Sequence, residues 1–152
     1  MLNIAVFVSG GGTNLQALID AQDRGEIKNG KITFVLASNE NAYALERAKK
    51  AGIDTAVVSR KQYESKADYD KAVLKTLDGR DIDLIVLAGF LSILGEDLVS
   101  KYNNRIINIH PSLIPLFCGD GFYGKKVHKA VLDSGMKVTG ATVHFVNEIT
   151  DG

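Results

Sequence analysis

The chain has a single cysteine, two prolines, three histidines and no excess charge, 18 basic residues standing against 18 acidic ones. Cys118 alone permits no intrachain disulfide. Balanced charge without a basic block leaves no electrostatic footprint for nucleic acid or for an acidic membrane surface, so a small-molecule partner is favoured. No apolar run is long enough to span a bilayer. The run from Met1 to Val8 has no basic segment before it and leads straight into Ser9-Gly10-Gly11-Gly12, which fits a first strand better than a signal peptide. A cytoplasmic protein is the expectation. The histidines and the cysteine show no metal-ligand spacing, so no metal site is expected. No serine lies in a G-x-S-x-G elbow, which removes the common hydrolase arrangement. Internal repeats, low-complexity tracts and Pro/Ser-rich linkers are also missing.

What is present suits one domain: 152 residues, 45% of them hydrophobic, can bury a sizeable core. Apolar runs alternate with stretches of helical period, the mark of repeated βαβ units. Strands are expected at Asn3 to Val8, Ile32 to Ala37, Thr55 to Val58, Leu84 to Ala88, Ile106 to Ile109 and Thr139 to Phe145. The first and fourth are almost wholly apolar, as strands covered on both faces should be. Helices are expected at Asn14 to Arg24, stopped by Gly25, and at Ala42 to Ala51, stopped by Gly52. Ser65 and Asp68 resemble a capping box opening a helix through Leu77, with Tyr69, Val73 and Leu77 at four-residue spacing. Shorter helices fit Glu96 to Tyr102 and Lys125 to Asp133. The expected class is α/β, a Rossmann-like, mostly parallel, twisted sheet with helices on both faces.

Chemistry concentrates at Asn108-Ile109-His110-Pro111-Ser112. Alternation along a strand puts Asn108 and His110 on one face, so an amide donor and an imidazole can address one reacting atom. That pairing suits acyl transfer, the amide stabilising an oxyanion and the imidazole moving a proton. A structural histidine at a strand end is the bland reading of His110. Asn108 weighs against it, because two polar side chains on one face of an apolar strand cost desolvation energy unless partnered. The irregular stretch Pro111 to Gly124 follows directly and holds both prolines and Cys118. Loops of that length in compact domains are usually functional or disordered, and open α/β sheets bind ligands beyond the carboxyl ends of their strands. Asp151 is either a turn residue or an orienter for His110. His144 and His128 read as structural, and Cys118 as a passive thiol.

Ser9-Gly10-Gly11-Gly12-Thr13-Asn14 joins an expected strand to an expected helix, so its backbone N–H groups suit a phosphate. Taken alone it equally describes a flexible turn capped by Thr13 or Asn14. A dinucleotide site is disfavoured, since G-x-G-x-x-G needs glycine where Leu15 stands and the second strand ends in Ser38-Asn39 rather than a carboxylate. No lysine follows the glycines, which removes the nucleoside-triphosphate loop. Phe90, Leu91, Ile93 and Leu94 are either core or an apolar wall for a flat heterocycle.

Four segments in register, Ser9 to Gln16, Leu87-Ala88-Gly89-Phe90, Asn108 to Pro115, and Gly140 to Val146 running on to Asp151-Gly152, resemble the glycinamide ribonucleotide formyltransferases. The resemblance runs over essentially the whole chain. It implies the formyltransferase fold and transfer of a formyl group from 10-formyltetrahydrofolate to the amine of glycinamide ribonucleotide in purine biosynthesis. By that pattern Gly12, Thr13 and Asn14 hold the ribonucleotide phosphate. Leu91, Ser92, Ile93 and Leu94, with Asn147, Glu148, Ile149, Thr150 and Asp151, line the pterin pocket, largely through backbone groups. Asn108 also meets the folate, and with His110 it polarises the formyl oxygen, while Asp151 orients His110. The amine attacks directly, so neither a protein nucleophile nor a metal is implied. Where some members carry arginines near the folate's glutamate tail this chain has Lys66 and Ser92. The stretch Leu116 to Gly124 resembles a longer variant seen in Gram-positive bacteria. Members of the family continue beyond Asp151-Gly152, so the expectation is one formyltransferase domain, 1–152, lacking the family's C-terminal portion. Two alternatives stay open: a formyltetrahydrofolate hydrolase, and a substrate-binding fragment without turnover. A homodimer is compatible with either.

Overall fold

The computed structural model describes residues 2–27, 29–90, 94–102, 105–110 and 142–145, with side chains through Asn108. Its strands are β1 (Leu2–Val8), β2 (Gly30–Ala37), β3 (Asp54–Val57), β4 (Leu84–Ala88), β5 (Ile106–His110) and β6 (Thr142–Phe145). The helices are α1 (Thr13–Asp23), α2 (Ala44–Lys50), α3 (Lys66–Leu77) and α4 (Glu96–Lys101), with a short 3₁₀ turn at Arg60–Gln62. The expected helix at Lys125 to Asp133 and the start of the expected last strand lie outside the described residues.

The strands form one sheet in the order β3-β2-β1-β4-β5-β6. The first five run parallel, and β6 pairs antiparallel with β5. The α/β expectation is met, and the strand order shows why β1 and β4 read as apolar throughout. They lie at the centre, and alternate residues enter different cores. Ile4, Val6 and Val8 join Leu84, Val86, Ala88 and Ile107 beneath α1 and α2. Ala5 and Phe7 join Ile85, Leu87 and Ile106 beneath α3 and α4.

Strand β2 departs from simple alternation. Its pairing with β1 skips a residue, Ile4 facing Ile32 and Ala5 facing Phe34. Thr33 is therefore a bulge, and Ile32 and Phe34, two positions apart, enter opposite cores. The Thr33 hydroxyl is buried and has no hydrogen-bond partner among the described residues.

The helices form where the periodicity places them. Leu15 and Ile19 of α1 are buried, and Leu18 packs partly against the same core. Tyr69, Val73 and Leu77 of α3 are buried as a stripe, and the Ser65 hydroxyl caps that helix by accepting the Asp68 N–H at 3.1 Å.

Candidate functional site

Parallel strands point their carboxyl ends to one edge, and the chain changes direction across the sheet between β1 and β4. From β1 it winds outward to β2 and β3, and from β4 the other way to β5. Loops leaving β1 and β4 diverge at such a point and open a crevice. Three candidate segments meet this edge. The glycine loop follows β1, Gly89-Phe90 follows β4, and β5 ends with Asn108 and His110.

The glycine loop is held on three sides. The Gly10 carbonyl accepts the Ala44 N–H at 3.0 Å, the Gly11 carbonyl accepts Arg47 Nε at 2.7 Å, and the Gly12 carbonyl accepts the Gln16 N–H at 2.8 Å. Below it, Ser9 and Ser38 share a buried hydroxyl hydrogen bond of 2.6 Å, and Asn39 Nδ2 donates to the Ser9 carbonyl at 2.6 Å. Asn39, at the position where a dinucleotide fold holds a ribose, here ties the loop to β2. Gly12 has φ 82°, and a Cβ there would lie 2.6 Å from the Ala44 Cβ, so both conformation and space require glycine. Gly12 is also the N-cap of α1, and among the described residues no side chain caps that helix. Thr13 and Asn14 are its first two residues rather than its caps. The capped-turn reading of this loop is therefore overturned. The end of α1 keeps its first-turn N–H groups and the positive end of its dipole for another acceptor.

Asn108 lies beside Leu87 of β4 and His144 of β6, and His110 beside Thr142. Ile106, two residues earlier, enters the α3/α4 core, so alternation assigns Asn108 to the same face, where it is half-buried. Phe90 and Leu94 pack against this core, and the Phe90 ring sits 5.4 Å from that of Phe7. Lys66 is the exposed first residue of α3. Because α3 returns antiparallel between parallel strands, that end too belongs to the carboxyl edge. Leu91, Ser92, Ile93, Asn147, Glu148, Ile149, Thr150 and Asp151 lie outside the described residues, as do Cys118, His128 and the stretch Pro111 to Gly124.

Two supporting residues escaped the sequence reading. Arg47 is one. Asp70 is the other: fully buried on α3, its carboxylate accepts the Gly95 N–H at 2.9 Å and the Leu98 N–H at 3.0 Å. It caps α4 from a neighbouring helix, where the N-cap position itself is a glycine. A Cβ on Gly95 would come within 2.6 Å of Asp70 Oδ2, so this contact also demands glycine. The available signal was a carboxylate three residues before Val73, inside the apolar stripe of α3.

The strand order defines an open, mostly parallel α/β fold with a switch point between β1 and β4, the place where such folds commonly bind ligands. A family described as formyl transferase matches residues 2–152, and the chain belongs to that family. Phosphoribosylglycinamide formyltransferase of Escherichia coli is 40% identical over 151 residues, covering 99% of this chain and 68% of that protein. The trifunctional purine biosynthetic protein adenosine-3 of Gallus gallus is 42% identical over 150 residues, and this chain spans 14% of its length. Glycinamide ribonucleotide transformylase 1 of Geobacillus kaustophilus superposes with a TM-score of 0.78 at 39% identity, over 100% of this chain and 78% of that one.

Proposed function

We propose that this protein transfers the formyl group of 10-formyltetrahydrofolate to the primary amine of glycinamide ribonucleotide, a step of purine biosynthesis, through one formyltransferase domain spanning 1–152. The observation that carries the reading is the meeting of an uncapped, glycine-built helix start with the Asn108/His110 strand end at one edge of the sheet. A phosphate-bearing acceptor and an acyl-transfer pair belong together there. The names of the relatives support the same activity.

In this reading Gly12, Thr13 and Asn14 receive the acceptor's phosphate through backbone N–H groups and the dipole of α1. The pterin lies along Leu91, Ser92, Ile93 and Leu94 and against Asn147, Glu148, Ile149, Thr150 and Asp151, with Lys66 near the glutamate tail. The acceptor nitrogen attacks the formyl carbon, forming a C–N bond and placing negative charge on the formyl oxygen. Asn108 donates to that oxygen, and His110, oriented by Asp151, stabilises it. Collapse breaks the bond to the folate nitrogen, which takes up a proton from His110, and the proton lost by the attacking amine returns to the imidazole, so no net proton is gained or lost. No metal takes part in these steps.

Incubation of the full-length protein with both substrates tests the reading. Formylated ribonucleotide with release of tetrahydrofolate is expected. Formate released without any acceptor would instead identify a hydrolase, a reading that leaves the glycine loop without a ligand.

A further inference from the structure

The nucleoside-triphosphate loop carries a lysine of its own, and this loop has none after its glycines. The cation nearest the loop comes instead from α2: Arg47 braces it from the carbonyl side. Its Nε donates to the Gly11 carbonyl at 2.7 Å, and its Nη1 donates to Gln16 Oε1 at 3.3 Å. Gln16 in turn donates through Nε2 to Asp20 at 2.9 Å, which fixes which way its amide faces. The guanidinium lies 5.2 Å from the centre of the Tyr43 ring, and the half-buried Arg47 stem passes close to Gly12.

The consequence follows from peptide geometry. In a planar trans peptide the carbonyl of one residue and the N–H of the next point in opposite directions. With the Gly10, Gly11 and Gly12 carbonyls drawn toward Ala44, Arg47 and Gln16, the N–H groups of Gly11, Gly12 and Thr13 are turned the other way. Such N–H groups, next to the positive end of α1, suit an anion. Of the three tethers, Arg47 is the one that comes from a side chain and carries a charge.

We propose that Arg47 is a positioning residue of the acceptor site: by holding the Gly11 carbonyl it sets the N–H groups of the glycine loop to receive a phosphomonoester, and so favours phosphorylated over unphosphorylated acceptors. The proposal rests on the formyl-transfer reading for its choice of acceptor, and binding tests it apart from turnover.

The experiment compares the full-length protein with Arg47→Ala and Arg47→Lys, each first checked for an unchanged melting temperature and circular dichroism. Calorimetry with ribose 5-phosphate and with ribose reads the phosphate directly. The unmodified protein is expected to bind ribose 5-phosphate at least about tenfold more tightly than Arg47→Ala, with Arg47→Lys between them, because lysine can still donate to the Gly11 carbonyl but lacks the second arm that reaches Gln16. In turnover, Arg47→Ala is expected to raise KM for glycinamide ribonucleotide about tenfold or more, leaving kcat, the KM for folate and the slow reaction of the unphosphorylated riboside within about twofold. Equal loss for ribonucleotide and riboside, a weakened folate KM, or ribose 5-phosphate affinity unchanged in both variants would overturn the proposal. Should no variant formylate either acceptor while the ribose 5-phosphate order holds, the formyl-transfer reading fails and the role of Arg47 stands.

Discussion

Replacing Asp70 by alanine removes an acceptor from two buried backbone donors at once, the N–H groups of Gly95 and Leu98. Hydrogen bonds to a charged group contribute about 1.5–3 kcal/mol each, and a stranded buried donor costs a further ~1–3 kcal/mol where water cannot reach it. The start of α4 also loses a carboxylate at its positive end, worth roughly 0.3–1 kcal/mol. Relaxation and water entering the space left by the carboxylate offset part of this, so the expected loss is about 3–5 kcal/mol, a large share of the ~5–15 kcal/mol that stabilises an ordinary domain. Asp70→Asn should lose roughly half as much, because its Oδ1 still accepts one of the two N–H groups while its NH₂ turns a donor toward the other. Urea unfolding followed by circular dichroism measures the change, with an unchanged m-value showing that the two states remain comparable. Gly95→Ala provides the cross-check. Its new Cβ would crowd Asp70 Oδ2 at 2.6 Å, so much of its cost should vanish once Asp70 is already alanine. A loss below about 1 kcal/mol for Asp70→Ala, or simple additivity of the two substitutions, would refute the capping argument.

Gly12→Ala forces a side chain into left-handed backbone at a cost of roughly 1–2 kcal/mol and drives its Cβ against Ala44, so ribose 5-phosphate binding in calorimetry should disappear before the fold does. Asn108→Ala and His110→Ala should each lower kcat roughly 10²–10³-fold while the dissociation constants of both substrates stay within a few fold; loss in binding alone would assign them a structural role. Burial raises the Tyr102 phenol above its ordinary value of 10.0, against a smaller opposing pull from Arg105. The unfolded chain ionises first, so this contribution is complete below pH 10 and is lost as pH rises from there through the folded value. Tyr102→Phe should flatten that alkaline decline in the urea midpoint, and an identical slope in both proteins would argue against the assignment.

The sheet was legible because burial on both faces writes itself as unbroken apolar runs, as in Ile4 to Val8 and Leu84 to Ala88. The Thr33 bulge was not, since a register shift is a property of the pair of strands and leaves no mark in either alone. Of the proposed site, Gly12 and Asn108 could be picked out by residue type and position. Asp70 left one mark, a carboxylate inside the apolar stripe of α3, and Arg47 left none; the partners of both lie 36, 31, 25 and 28 residues away, so neither role could be read from its own helix.

These two residues divide the site between the two cores. The glycine loop rests through Gly12 and Arg47 on α2, whose Ala44, Leu45 and Ala48 belong to the core shared with α1. Asn108, Phe90 and Leu94 belong to the face covered by α3 and α4, the helices that Asp70 joins. The central strands contribute to both cores, yet each core supports a different half of the proposed chemistry. A disturbance confined to the α1/α2 side should therefore weaken the phosphorylated acceptor and spare folate, and one on the α3/α4 side should do the reverse. Measured side by side with each ligand, Gly12→Ala and Gly95→Ala should show this crossed pattern. Equal weakening of both ligands by both variants would mean that the sheet couples the two halves more tightly than its layering implies.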